Sequence, residues 1–368
     1  MKLLARAAQY DLCAACGTRG SRVHDEVGQW LYPAALSDGK HIALLKVLQS
    51  NLCENDCFYC ANRRSRNARR GEFGPDELAA AFDELVRRGR AQGLFLSSAV
   101  CGGVARTMAR MLATVELVRL KYQFHGYVHL KLLPGCEQAS VERAVELADR
   151  VSVNLEAPNP ERLLRLSEVK RFESDLMQPM RWAQQFRDQE LGARSGITTQ
   201  FVVGAAGESD REILTTVDRL YRGRSLERAY FSAFQPVTHT PLEHLPATPP
   251  LREHRLYQSD FLLRQYGFRL EDLVFDAAGS LNGDCDPKLA WARAHPELFP
   301  LELNRAGREQ LLKVPGIGPK SVGRILQWRR QNKFHCIEDL RSAGIVVGRA
   351  APFVLLDGRY PPQQMTLC

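Results

Sequence analysis

Cys53-Glu54-Asn55-Asp56-Cys57-Phe58-Tyr59-Cys60 is the stretch on which the fold turns. Three thiols at C-x3-C-x2-C spacing can hold three corners of a [4Fe–4S] cube, for which four thiolates are the usual complement. A three-cysteine loop leaves one iron open to another ligand. The same spacing could serve a structural zinc ion with a fourth ligand from elsewhere, and the Cys13–Cys16 pair could contribute. The preceding run, His41-Ile42-Ala43-Leu44-Leu45-Lys46-Val47-Leu48, reads as a buried strand. A cysteine triplet at the end of a strand, opening a long series of strands and helices, favours the cluster.

Outward from this loop, strand and helix patterns alternate. An amphipathic helix is expected over 75–90, a strand over 94–98, and a helix over 106–120. A strand at 127–133 precedes a helix at 140–148, and further strands are expected at 151–156, 198–204 and 229–234. Six βα repeats predict a parallel sheet with helices outside, a partial (β/α)6 barrel in the α/β class. Working residues in such barrels lie at the C-terminal ends of strands, which is where the cysteine loop falls. Residues 243–250, with three prolines, read as a linker, and 251–266 as a helix packing back on the barrel. The expected domains are an N-terminal extension (1–39), the barrel (40–250), a helical connector (251–300) and a small all-α domain (301–368).

Composition narrows the class. The chain has 368 residues, enough for two domains and a sizeable core, and its 45% hydrophobic and 25% charged residues are those of a globular protein. No 18-residue apolar run exists, so no membrane span is expected. Ten cysteines without a disulfide-like framework, and a start too polar for a signal peptide, point to a reducing cytoplasm. Cys136, Cys285, Cys336 and Cys368 form no second cluster motif. The net charge of +8 is uneven: residues 301–368 carry eleven Lys and Arg against five Asp and Glu. A second basic run contains Arg63, Arg64, Arg66, Arg69 and Arg70, directly after the cysteine loop. Its place beside the expected site suggests a polyanionic partner.

Near the carboxy end, Leu311-Leu312-Lys313-Val314-Pro315-Gly316-Ile317-Gly318-Pro319-Lys320-Ser321-Val322 resembles a helix-hairpin-helix motif. Gly316 and Gly318 permit the tight hairpin, and Pro319 suits the first turn of the second helix. The free N–H groups there can hold a phosphate, with Lys320, Ser321 and Arg324 adding contacts. Such contacts grip a DNA duplex by its backbone without reading sequence. A weaker copy, lacking the Gly-x-Gly, spans Leu340 to Gly348.

The cysteine motif resembles that of the radical S-adenosylmethionine (SAM) superfamily. The whole chain resembles its members of DNA modification or repair that carry a helix-hairpin-helix tail. Carrying that likeness are Lys46-Val47-Leu48-Gln49-Ser50-Asn51 before the cysteines, Val151-Ser152-Val153-Asn154-Leu155-Glu156-Ala157-Pro158, the stretch from Thr199 to Glu208, Asp286-Pro287-Lys288-Leu289-Ala290-Trp291-Ala292 and the Val314–Gly318 hairpin. The resemblance implies a [4Fe–4S] cluster on Cys53, Cys57 and Cys60, SAM on its open iron, and a reductant such as flavodoxin or ferredoxin. It places Tyr59 near adenine, Asn154 and Glu156 near the ribose or methionine moiety, and Gly204 where adenine approaches the backbone. Ser97 and Ser98 stand where many relatives have a Gly-Gly-Glu segment for the SAM amino group, so the chain departs from the pattern there. Cys101 is a candidate hydrogen-atom donor. The expected function is a radical enzyme acting on DNA, in base modification or lesion repair, with the target base drawn out of the stack. The alternatives are an RNA-modifying radical enzyme and a non-catalytic cluster protein that senses redox state or binds DNA.

Overall fold

A computed structural model describes residues 3–4, 31–35 and 41–361. Cys13, Cys16, Cys368 and most of the N-terminal extension lie outside these residues. The chain divides into two compact units, 1–253 and 254–368.

In the first unit, seven strands form one sheet in chain order: β1 (Leu31–Ala35), β2 (His41–Leu48), β3 (Gly93–Ser97), β4 (Tyr127–Lys131), β5 (Arg150–Ser152), β6 (Ile197–Val203) and β7 (Arg228–Ala233). From β2 to β7 every pair is parallel, as six βα repeats require, and the curled sheet with its helices is the expected partial barrel. Strand β1, which the sequence pattern did not announce, pairs antiparallel on the edge.

Between the strands run α1 (Pro75–Arg87), α2 (Val104–Glu116), α3 (Gln138–Leu147), α4 (Pro160–Leu164), α5 (Gln178–Asp188) and α6 (Asp210–Arg222). Helix α1 starts on a proline with Asp76 and Glu77 in its first turn, where they favour the helix dipole, and buries Leu78, Ala79, Phe82 and Leu85 on one face. A π-helical turn, Leu117–Lys121, continues α2. The sheet is buried on alternating residues: Leu45, Val47, Leu94, Leu96, Val128 and Leu130 are 0% exposed, so one face of the strands is wholly covered.

The expected strand at 151–156 is shorter than its apolar pattern. The ladder ends at Ser152, and Glu156 takes a left-handed backbone (φ +64) before pairing once more, in an isolated bridge to Phe201. Leu155 N–H turns instead to the Thr199 hydroxyl at 3.1 Å. The apolar side chains continue inward while the backbone bends away, which a burial pattern alone does not reveal.

The second unit contains the greater part of α7 (Pro250–Gln265), then α8 (Pro287–Ala294), α9 (Arg308–Lys313), α10 (Pro319–Trp328), α11 (Ile337–Ser342) and α12 (Val347–Ala350). Two short parallel strands, β8 (Leu301–Glu302) and β9 (Val354–Leu355), close it. Leu311, Val314, Ile317, Val322, Ile325, Phe334 and Leu340 form its core. The second, weaker hairpin copy is a real helical turn: Val346 N–H donates to Gly316 O at 3.2 Å, tying it to the first.

Candidate active site and helical hairpin

The cysteine loop leaves β2 held on both sides. Gln49 N–H donates to Ser97 O at 2.8 Å, and the buried Gln49 amide donates to Phe73 O and accepts from Thr114. The Glu54 carboxylate accepts from Gly102 N–H (2.6 Å) and Gly103 N–H (3.1 Å), binding the loop that follows β3. On the other side Asp56 accepts from the Ser167 hydroxyl (2.6 Å) and Glu168 N–H (2.9 Å). Burial works against the Asp56 charge, but these hydrogen bonds outweigh it and hold its pKa below the usual carboxylate value. Phe58 N–H adds a bond to Leu166 O at 2.8 Å.

Cys53, Cys57 and Cys60 are all free thiols, Cys57 buried and the other two half-buried. Burial pushes the Cys57 thiol up, opposed by nearby Lys170; burial, then the charge of Cys57, pushes Cys60 up to about 12. Thiols of this kind carry protons until a metal displaces them. Among the described residues no three His, Cys, Asp or Glu side chains converge as ligands of a single ion. A cubane asks for something else, since each thiolate binds its own iron around a void. Three free thiols on one pinned loop, near enough to perturb one another's charge, fit that group.

Tyr59 and Glu156 are brought together: burial, then the charge of the nearby Glu156 carboxylate, raises the phenol's pKa well above the ordinary value. Glu156 also lies 3.8 Å from Lys170, and the Lys170 ammonium is near enough to Cys57 for the two charges to influence each other. The sequence reading missed Lys170, which sits in the charged run Ser167-Glu168-Val169-Lys170-Arg171 and looks there like solvated surface. Asn154 is buried beyond the end of β5. Ser97 and Ser98 are buried beside the loop, with the Ser98 hydroxyl turned onto Ala99 O at 2.7 Å. Cys101 is half-buried, its N–H held by the Thr107 hydroxyl at 3.0 Å. Gly204 follows β6 with φ +94, its N–H on the Glu208 carboxylate.

The basic run divides in two. Arg70 donates to four backbone carbonyls, those of Asn51, Asn62, Arg63 and Arg66, at 2.6–2.9 Å. Arg66 donates to Ala61 O and Thr238 O, and Arg63 stands over the Phe58 ring. These three guanidiniums are engaged in folding the loop, whereas Arg64 and Arg69 are exposed.

In the second unit Gly316 has φ +82, a conformation that favours glycine, and Ile317 N–H closes on Val314 O at 3.2 Å. Lys320 and Arg324 are exposed. Ser321 is not: it is buried, and its hydroxyl donates to Gly344 O at 2.7 Å, so it joins the two hairpins instead of facing a ligand. Behind the hairpin, buried Lys288 donates to Ile317 O at 2.5 Å and lies over the Tyr266 ring; burial pushes its pKa down to about 7. A pocket of about 320 Å³ opens here, lined by Tyr266, Asp286, Lys288, Arg349 and the Gly316–Gly318 backbone.

Residues 47–220 match the family described as the Radical SAM superfamily, and residues 301–328 match the helix-hairpin-helix motif. The superfamily's cofactors, a [4Fe–4S] cluster and SAM, are those of this domain. No curated protein matches the chain. Among solved structures, methylornithine synthase is similar at 16% identity and a TM-score of 0.49, with 60% of this chain and 61% of that one covered. The FeFe-hydrogenase maturase HydG from Carboxydothermus hydrogenoformans is similar at 13% identity and a TM-score of 0.48, covering 60% and 51%. SuiB from Streptococcus suis follows at 12% and 0.44, covering 60% and 46%. The chain thus spans about half to three-fifths of the length of these structures.

Proposed function

From a radical SAM domain carried in one chain with a helix-hairpin-helix motif, we propose that this protein is a radical SAM enzyme acting on DNA, in base modification or lesion repair. The observation that carries the reading is the cysteine loop, pinned by Glu54 on one flank and Asp56 on the other beneath the ends of the parallel strands. Cys53, Cys57 and Cys60 are the ligands assigned to the cluster. When bound, cluster and SAM supply a 5′-deoxyadenosyl radical able to abstract hydrogen from carbon.

The chain's own residues bind and shield. Glu156 and Tyr59, near each other and near Cys57, are the polar contacts proposed for SAM, with Asn154, Ser97 and Ser98 at neighbouring strand ends and Gly204 just after β6. Cys101 is retained as the candidate hydrogen donor. DNA is proposed to bind through the hairpin, Gly316 to Gly318 presenting backbone and Lys320 and Arg324 adding charge; Arg64 and Arg69 do the same by the cluster loop. The protein would work in a reducing cytoplasm with flavodoxin or ferredoxin as electron donor.

The test is anaerobic reconstitution with iron and sulfide, reduction in the presence of SAM, and quantification of 5′-deoxyadenosine with and without duplex DNA. The expected result is product that vanishes in Cys57→Ala and rises with DNA. Product indifferent to DNA but stimulated by RNA would overturn the DNA assignment. An intact cluster that yields no product would favour a sensor.

A further inference from the structure

Lys170 has no place in the binding scheme above, yet its position is costly. An ammonium 7% exposed in a protein interior survives only with compensation from charge or hydrogen bonds. Its compensation comes from two sides. Glu156 lies 3.8 Å away, and Cys57 stands within electrostatic reach, where its thiolate form favours the ammonium, Cys60 more weakly. The lysine is brought there by the segment that also supplies Ser167 and Glu168 to Asp56. One short stretch, 167–170, therefore both fixes the cysteine loop and directs a cation at its middle cysteine. Glu156 reaches the same place from a left-handed backbone, φ +64, a conformation uncommon outside glycine and associated with functional sites.

We infer that Lys170 sets the reduction potential of the cluster bound through Cys57, and that Glu156 offsets it. The inference rests on the proposed assignment of Cys57 as a ligand. Adding an electron to a [4Fe–4S] cluster adds negative charge, and the potential responds to net charge, to hydrogen bonds on the ligand sulfurs and to solvent exposure. A buried ammonium near a ligand sulfur stabilises the reduced form through a poorly screened interaction. A carboxylate beside it acts in the opposite direction. Lys170 is thus a positioning residue that stands beside the ligand and acts on the cluster by its charge. The pair gives two variants with opposite predicted signs, which a merely structural role would not produce.

The experiment is a dye-mediated redox titration of the full-length reconstituted protein, followed by electron paramagnetic resonance of the reduced cluster without SAM or DNA. Lys170→Met is expected to disfavour reduction about tenfold, a shift of about 59 mV to more negative potential for a one-electron couple. Lys170→Arg keeps the cation and is expected to restore most of the wild-type value. Glu156→Gln is expected to move the potential the other way. Equal iron and sulfide content with an unchanged potential in Lys170→Met overturns the inference, as does a negative shift in Glu156→Gln. Should Lys170→Met fail to retain a cluster, the sign in Glu156→Gln decides alone: positive supports the inference, zero or negative overturns it. An unchanged potential with weakened SAM binding would make Lys170 a SAM contact and also overturn it. Full cluster retention and unaltered spectra in Cys57→Ala would instead remove the ligand assignment beneath both readings.

Discussion

At Gly204 a Cβ would sit 2.0 Å from the Thr248 hydroxyl, on a backbone already at φ +94. That hydroxyl donates to Val203 O at 2.8 Å, so it cannot swing away without losing a buried bond. Gly204→Ala is expected to cost about 2–3 kcal/mol, from left-handed strain and displaced Thr248 together, read as a lower urea midpoint. Arg70 offers a second test. Its guanidinium holds four carbonyls of the loop around the cysteines, and a lysine cannot reproduce that fork. Arg70→Lys is expected to destabilise by about 1–3 kcal/mol and to lower iron retained after gel filtration. Side chains such as this mark the limit of what a sequence discloses. The cysteines announce themselves by spacing, because a cluster imposes it. In a run of five arginines nothing distinguishes a clamp from a free cation until the carbonyls around it are in place.

Helix α6 shows how much of an element's stability is local. Ser209 caps it by accepting from Glu212 N–H, and Glu212 returns to Ser209 N–H at 2.7 Å, a reciprocal capping box. Ser209→Ala is expected to cost about 1 kcal/mol. Burial works against the Glu212 charge, yet bonds from Arg162 and Ser209 win and set its pKa at about 2 against an ordinary 4.5. A depressed folded pKa means stability present in full above 4.5 and lost as pH falls through about 2. Glu212→Gln is therefore expected to flatten the acid limb of the urea midpoint against pH, with the two proteins converging at the acid end. The six parallel strands were legible because buried strands read as short apolar runs between helical patterns. Strand β1 was not, because Leu31-Tyr32-Pro33-Ala34-Ala35 contains a proline, which is tolerated on an edge where its missing N–H faces no partner. The early end of β5 was hidden for another reason: the ladder stops at Ser152 while Val153, Asn154, Leu155 and Glu156 all stay buried, so side-chain burial does not mark the break.

For the whole molecule the net charge of +8 is the property a polyanion would meet first. If the hairpin grips phosphates, Lys320→Ala and Arg324→Ala are each expected to reduce the slope of log K against log salt for duplex DNA by about 1, uniformly across sequences. Ser321→Ala, buried on Gly344 O, is expected to lower thermal stability and leave that slope alone. No helix among the described residues is long and apolar enough to cross a membrane. The lysine behind the hairpin has a consequence for inheritance. Lys288 lies outside the matched motif, 301–328, yet holds Ile317 O at the tip of its turn. A gene fusion that borrowed the recognisable motif and left the Asp286-Pro287-Lys288 segment behind would carry off the signature without its strut. The smallest segment that keeps the turn together with its strut therefore begins at Asp286 and not at residue 301.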